Sequence, residues 1–400
     1  MKSIITNIKS IFTWNDINNS FLEINNKNIL IENGIIIDLC DNIPIVDEEI
    51  DADGLCITPG FIDSHTHPVF ANNRANEFKM RVSGKSYKEI AEKGGGIISS
   101  INAVRKSTED ELYNFTLENI ETLFAHGSTS IEAKSGYGLT LEDEIKSLKV
   151  LKRINRDCII DIIPTFMGAH AFPPEYLDNK ERYIDLICNE MIPQVAEKKL
   201  AIYCDVFCEK GYFTVNQSRR ILETGIKYGL KPRLHADEFM DSNGAELASE
   251  IGAISADHLM AISDVGIKKM ADAGVIATIL PGTTLFLGQH NYANARKMID
   301  NGLEIAIATD FNPGSSTLNC LSMAMALSTL YCGMTIEESF KAITYNSAKA
   351  VGMGNKIGMI KKGYQADLLF WNINSIDEIP YWMGSDRMIN IMKKGEFLED

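Results

Sequence analysis

The sequence predicts an α/β protein: a (β/α)8 barrel of the TIM type, joined to a small β-sandwich-like domain that draws on both chain termini. Three observations carry this expectation. Eight short β-rich runs alternate with longer amphipathic segments through the middle of the chain, histidines and one aspartate fall at the ends of several of those runs, and both termini carry short β-rich runs broken by turn residues. Strands alternating with helical segments indicate a parallel sheet with crossover helices. In a barrel built this way the active site lies at the C-terminal ends of the strands.

Taken in order, residues up to about 55 read as short strands, such as the run 29–37, with turns between them. Residues 55–63 form an extended run that leads into the first barrel strand, ending at His65. The further strands are expected at 129–133, 159–166, 200–207, 232–236, 253–258, 275–280 and 305–310, with helices at 109–126, 141–156, 216–229, 263–273 and 292–301. The last 45 or so residues return to the style of the first, with a turn entering a strand over 361–371 and another strand at 390–393. Termini of a domain often lie close together, so residues 1–56 and 355–400 are assigned to one composite β domain and 57–354 to the barrel. No internal repeat or low-complexity tract interrupts the pattern.

Composition bounds the function. The 400 residues are 45% hydrophobic and 23% charged, within the usual range for a soluble globular protein. A formal net charge of -15 opposes sequence-independent attraction to nucleic acid, and an anionic ligand must be met by local cations. The opening Met1-Lys2-Ser3-Ile4-Ile5-Thr6-Asn7 does not read as a secretory signal, and no apolar run is long enough to span a bilayer, so a cytoplasmic protein is expected. Eight cysteines without a CxxC pair fit reduced thiols; Cys204 and Cys208 read as small buried hydrophobes.

The chemistry is concentrated at His65-Thr66-His67, His235, His258 and Asp310. Residues two apart on a strand face the same side, so His65 and His67 can share one ion. Zinc and iron both accept imidazole nitrogen and carboxylate oxygen, and a catalytic site keeps one position open for water. Gly94-Gly95-Gly96 lacks the spacing of a phosphate loop and reads as a hinged loop over the pocket. His126 and His290 match no motif.

The pattern resembles the amidohydrolase superfamily, in which an HxH after Pro59-Gly60-Phe61-Ile62-Asp63, a strand-5 histidine, a strand-6 histidine and a strand-8 aspartate line a metal centre. Within it, the chain is similar to the imidazolonepropionase family over longer stretches. These are Arg81-Val82-Ser83-Gly84-Lys85-Ser86-Tyr87, Glu92-Lys93-Gly94-Gly95-Gly96-Ile97, Lys134-Ser135-Gly136-Tyr137-Gly138-Leu139, Gly168-Ala169-His170-Ala171, Cys204-Asp205-Val206-Phe207-Cys208-Glu209, His235-Ala236-Asp237-Glu238-Phe239, Ser255-Ala256-Asp257-His258-Leu259 and Ala308-Thr309-Asp310-Phe311-Asn312-Pro313-Gly314.

The resemblance implies metal ligands His65, His67, His235 and Asp310, holding a divalent or trivalent ion, zinc or iron. Binuclear members of the superfamily use a modified lysine on strand 4; the run 200–207 contains none, so a single ion per subunit is expected. By the same resemblance Asp310 also accepts a proton from water, His258 stabilises an oxyanion or assists proton transfer, and Glu238 contacts the substrate ring and moves a proton to the leaving nitrogen. Arg74 is placed against a propionate carboxylate, a task suited to a planar guanidinium. Tyr87, Tyr137 and His170 supply further contacts, and Asn312, Gly314 and Ser315 receive the glutamate-like part.

The implied reaction is metal-dependent hydrolysis of the ring C–N bond of 4-imidazolone-5-propanoate to N-formimidoyl-L-glutamate, in a homodimer with no nucleic-acid or membrane partner. An amidohydrolase deaminase of a purine or pyrimidine is the rival enzyme; Arg74 and the stretch from Lys134 to Leu139 oppose it by answering an anionic tail. A non-catalytic barrel scaffold is the rival of another class, opposed by the complete ligand set.

Overall fold

The computed structural model describes residues 1–85, 89 and 95–397; Tyr87 and Gly94 therefore lie outside the described residues. Its centre is an eight-stranded parallel sheet in sequence order, Phe61–Thr66, Ser128–Lys134, Asp161–Ala169, Tyr203–Cys208, Lys231–Ala236, Ser255–His258, Ile276–Ile279 and Ile305–Ile307. The last strand returns to the first: Asp310 N donates to His65 O at 3.1 Å and His67 N to Phe311 O at 2.9 Å, which brings the ends of strands one and eight together. The expected α/β barrel is the fold.

Helices cover the outside, and their boundaries follow local chemistry. Glu109–Ala125 begins at a capping box in which the Thr108 side chain accepts from Glu111 N, and it buries Leu112, Thr116, Ile120 and Leu123, a helical spacing that lines one face. Thr214 with Gln217 repeats the device for Val215–Lys227. Several expected elements are shorter than the sequence suggests, and two of them show why. The helix expected over 292–301 spans only Ala295–Asp300, because the Asn294 side chain accepts from Lys297 N and starts the helix there. The strand expected over 305–310 stops at Ile307, and Asp310 turns into the left-handed region at φ 53°.

The run 55–63 is two strands in two sheets. Cys56–Pro59 pairs with Leu368–Trp371 and Ser10–Asn15, whereas Phe61–Thr66 opens the barrel. Gly60 is the crossing point: its N–H donates to Asp367 O at 2.8 Å, and a Cβ there would overlap the Thr129 side chain.

Both termini build the second unit. A four-stranded sheet, containing the hairpin Asn28–Glu32 and Ile35–Cys40 turned at Asn33-Gly34, faces a six-stranded sheet completed by Leu368–Trp371, Met388–Lys393 and Glu396–Phe397. Ile5, Ile29, Ile31 and Ile36 from one sheet pack with Ile11, Ile57, Leu368 and Phe370 from the other, the layered core of a sandwich.

Candidate metal centre and active site

Alternation along the barrel strands turns charged residues into the barrel, where most barrels carry aliphatic layers. Glu132 and Lys134, Asp205, Arg233 and His235, and Asp257 are all buried there. Lys134 Nζ lies 2.8 Å from both Glu132 Oε1 and Asp205 Oδ2. Arg233 donates to Ser64 O at 2.7 Å, to Ala350 O at 2.9 Å and to Asp257 Oδ2 at 3.3 Å. Each of the two aspartates then holds a histidine: His65 Nδ1 is 2.7 Å from Asp257 Oδ2, and His235 Nδ1 is 3.1 Å from Asp205 Oδ1. An Nδ1–H donated to a carboxylate leaves the Nε2 lone pair pointing inward.

Those nitrogens converge. His67 Nε2 is 3.3 Å from His65 Nε2 and 3.2 Å from His235 Nε2, and Asp310 Oδ1 is 3.5 Å from Nε2 of both His65 and His67. Four ligands placed tetrahedrally at zinc-like bond lengths stand about 3.3 to 3.4 Å apart. The donor types and these four separations fit a metal ion, and His65, His67 and Asp310 lie within reach of a common ion. Burial, with the neighbouring Lys134 and imidazoles, pushes the pKa values of His65 and His67 well down, which keeps them neutral as ligands require. Thr283 donates to Asp310 Oδ2 at 2.6 Å, so the two carboxylate oxygens of Asp310 have different partners. His65, His235 and His258 also lie within reach of a common ion.

The centre opens into a cavity of about 350 Å³ lined by His67, Arg74, Tyr137, His170, His235, Glu238, His258, Asp310, Asn312, Gly314 and Ser315. Every site residue expected from the sequence is thus brought together except Tyr87, which lies outside the described residues. His258 Nε2 is 3.8 Å from Glu238 Oε2, and its Nδ1 is buried without a partner. The His170 ring stacks on His67 at 5.0 Å, its Nδ1 meets Gly136 O at 3.0 Å, and burial drives its pKa down to about 3. Burial lifts Asp310 to about 6, and burial with the Asp310 and Glu209 charges lifts Glu238 well above the usual carboxyl range. Positive φ angles at Asp237, His258 and Asp310 gather just at or after strand ends around the centre, where strained backbone aims side chains.

Arg74, also lining the cavity, caps the Ala75–Val82 helix. Its Nε and Nη2 donate to Glu77 Oε2 at 2.9 and 2.7 Å. Asn312 Oδ1 accepts from Gly314 N and Ser315 N, both at 2.8 Å, shaping the loop beside it. Of the stretch from Lys134 to Leu139, expected to answer an anionic tail, Tyr137 lines the cavity, while Lys134 is fully buried and ion-paired with Glu132 and Asp205. Asp205, Asp257, Thr283, Glu77 and Arg81 escaped the sequence reading of the site. For Asp205 the available signal was a charged residue inside an otherwise apolar strand, which is rarely buried without a partner.

A model of the amidohydrolase family matches residues 214–398. The chain is 49% identical over 346 residues to the imidazolonepropionase of Brevibacillus brevis, covering 86% of this chain and 81% of that relative. It is 46% identical over 387 residues to the imidazolonepropionase of Clostridium tetani, covering 95% and 92%. Among solved structures, E. coli guanine deaminase matches with a TM-score of 0.76 at 13% identity over 100% of this chain and 99% of that one. A Xaa-Pro dipeptidase with methionine bound in its active site matches at 0.74 and 16% identity, each chain covered in full. At such identities the likeness is one of fold alone.

Proposed function

The chain belongs to the imidazolonepropionase family of amidohydrolases, and from that premise we propose how its residues open the ring of 4-imidazolone-5-propanoate to give N-formimidoyl-L-glutamate. The enzyme is a hydrolase of cyclic-amide C–N bonds. The observation that carries the mechanism is a converging ligand set and a guanidinium lining the same cavity. His65, His67, His235 and Asp310 would hold a single zinc or iron ion, which when bound supplies the Lewis acidity that makes water nucleophilic near neutral pH.

The side chains divide the remaining work. Arg74, with the Asn312 to Ser315 loop, holds the propionate and sets the ring against the ligands. Asp310 takes the proton of the attacking water through its carboxylate, one oxygen of which is held by Thr283. His258 donates a hydrogen bond to the carbonyl oxygen as it gains charge. Glu238, whose pKa burial raises well above the usual carboxyl range, delivers a proton to the ring nitrogen as the C–N bond breaks. Tyr137 and His170 pack around the ring, and Tyr87 is proposed to do so by resemblance alone.

A homodimer in the cytoplasm completes the proposal; its eight free cysteines suit a reducing compartment. No described helix is long and apolar enough to cross a membrane. The test is to follow loss of imidazolone absorbance while assaying formimidoylglutamate. That product supports the reading, and ammonia released from a nucleobase in its place would support a deaminase.

A further inference from the structure

Arg74 does not bring a free charge to the cavity. Glu77 takes its Nε and Nη2 edge, so the pair is neutral overall. Lys85, also on the cavity wall, is paired with Glu89 at 2.8 Å. Arg81 is the one remaining cation of that wall, and among the described residues no carboxylate stands at ion-pair distance from it.

Its placement is specific. Arg81 lies seven residues after Arg74, two turns along the same helix and on the same face. Both guanidiniums reach Gly314: a Cβ on that glycine would overlap Arg74 Nη1, and Arg81 Nη1 is 3.5 Å from Gly314 O. Arg81 Nη2 donates to Phe286 O at 3.3 Å, and its carbon centre lies 4.8 Å from the Phe286 ring centroid and 5.5 Å from that of Phe78. Two long bonds leave most of its five donors unused, while the aromatic rings hold the guanidinium plane in place.

We propose that Arg81 is a specificity-determining residue, the second arm of an anion site beside Gly314 that receives the substrate carboxylate jointly with Arg74. The inference rests on the ring-opening reading only for the identity of the substrate. In a chain with net charge -15, Arg81 supplies the local positive charge that Arg74, neutralised by Glu77, does not. Burial and the Arg74 charge disfavour its protonated form, and an incoming carboxylate relieves that cost.

The test compares the unaltered enzyme with Arg81→Met, Arg81→Lys and Glu77→Gln, using the substrate and two inhibitors, 3-(imidazol-4-yl)propanoate and the tail-less 4-ethylimidazole. For Arg81→Met the expected result is a KM and an inhibition constant for the propanoate raised roughly tenfold or more, with kcat and the 4-ethylimidazole constant little changed. Arg81→Lys should recover part of the loss, and Glu77→Gln should tighten the propanoate by removing an opposing charge. Unchanged propanoate binding in Arg81→Met, or equal weakening of both inhibitors, overturns the inference. Turnover by the unaltered enzyme judges the ring-opening reading separately: if it is absent while the propanoate still binds through Arg81, the anion site stands and the reaction is wrong.

Discussion

His235 can serve a metal only if its ring is held with Nε2 inward, and Asp205, itself fixed by Lys134, does that holding. Replacing Asp205 with Asn keeps the shape but weakens the acceptor. Metal affinity is expected to fall about 10- to 100-fold, read by chelator competition. In the same cavity, Arg74→Ala removes charge-assisted bonds and should cost about 3 kcal/mol, roughly a hundredfold in kcat/KM, appearing chiefly in KM. An unchanged KM would remove Arg74 from the carboxylate site. Residue by residue, the candidate ligands stood out through HxH spacing and positions at strand ends, and the choice of four among them came from the family resemblance. Arg81 did not stand out, although it opens one of the matched stretches, because its value depends on Glu77 having already neutralised Arg74. A sequence does not show which of two arginines is already paired.

Elements were legible where one signal dominated and blurred where two units meet. The alternation of strands with helices placed most of the barrel, and the caps at Thr108 and Thr214 set helix starts that the alternation alone did not use. The run 55–63 concealed a change of sheet because every residue in it is apolar or extended-compatible and only Gly60 marks the crossing. Gly60→Ala is expected to destabilise the protein by about 1 to 3 kcal/mol, since the new methyl group overlaps Thr129. Thermal melting should show the loss, with partial recovery in the Gly60→Ala, Thr129→Ala double variant. The same limit applies to 305–310: β propensity continues to Thr309, but the turn that presents Asp310 is fixed by pairing with strand one, which lies about 240 residues away in sequence.

At the scale of the molecule, the terminal unit is tied to the barrel by a buried ion cluster. Lys393 Nζ lies 2.7 Å from Asp161 Oδ2 and 2.7 Å from Asp367 Oδ2, while Lys394 pairs with Asp161 Oδ1 at 2.7 Å. The division into a composite unit, 1–56 with 355–400, and a barrel, 57–354, remains a proposal that this tie and the Gly60 crossing support. Burial raises the Asp161 pKa, but Lys393, Lys394 and Gln365 outweigh it and hold the carboxyl below its ordinary value of 3.8. A folded-state pKa below the unfolded one contributes stability above that ordinary value and loses it as pH falls through the folded value. Asp161→Asn should therefore melt below the unaltered protein at pH 7, with the gap closing below about pH 4. A gap that persists in acid would mean that Asp161 acts through packing.

The central claim is that one ring of His65, His67, His235 and Asp310 binds a metal and opens an imidazolone. The most direct measurement is metal content of the purified protein together with the product formed from 4-imidazolone-5-propanoate. A single zinc or iron ion per chain with N-formimidoyl-L-glutamate as product is the predicted result. A chain that binds no stoichiometric metal, or a metal-loaded one that leaves the imidazolone intact, would contradict the account.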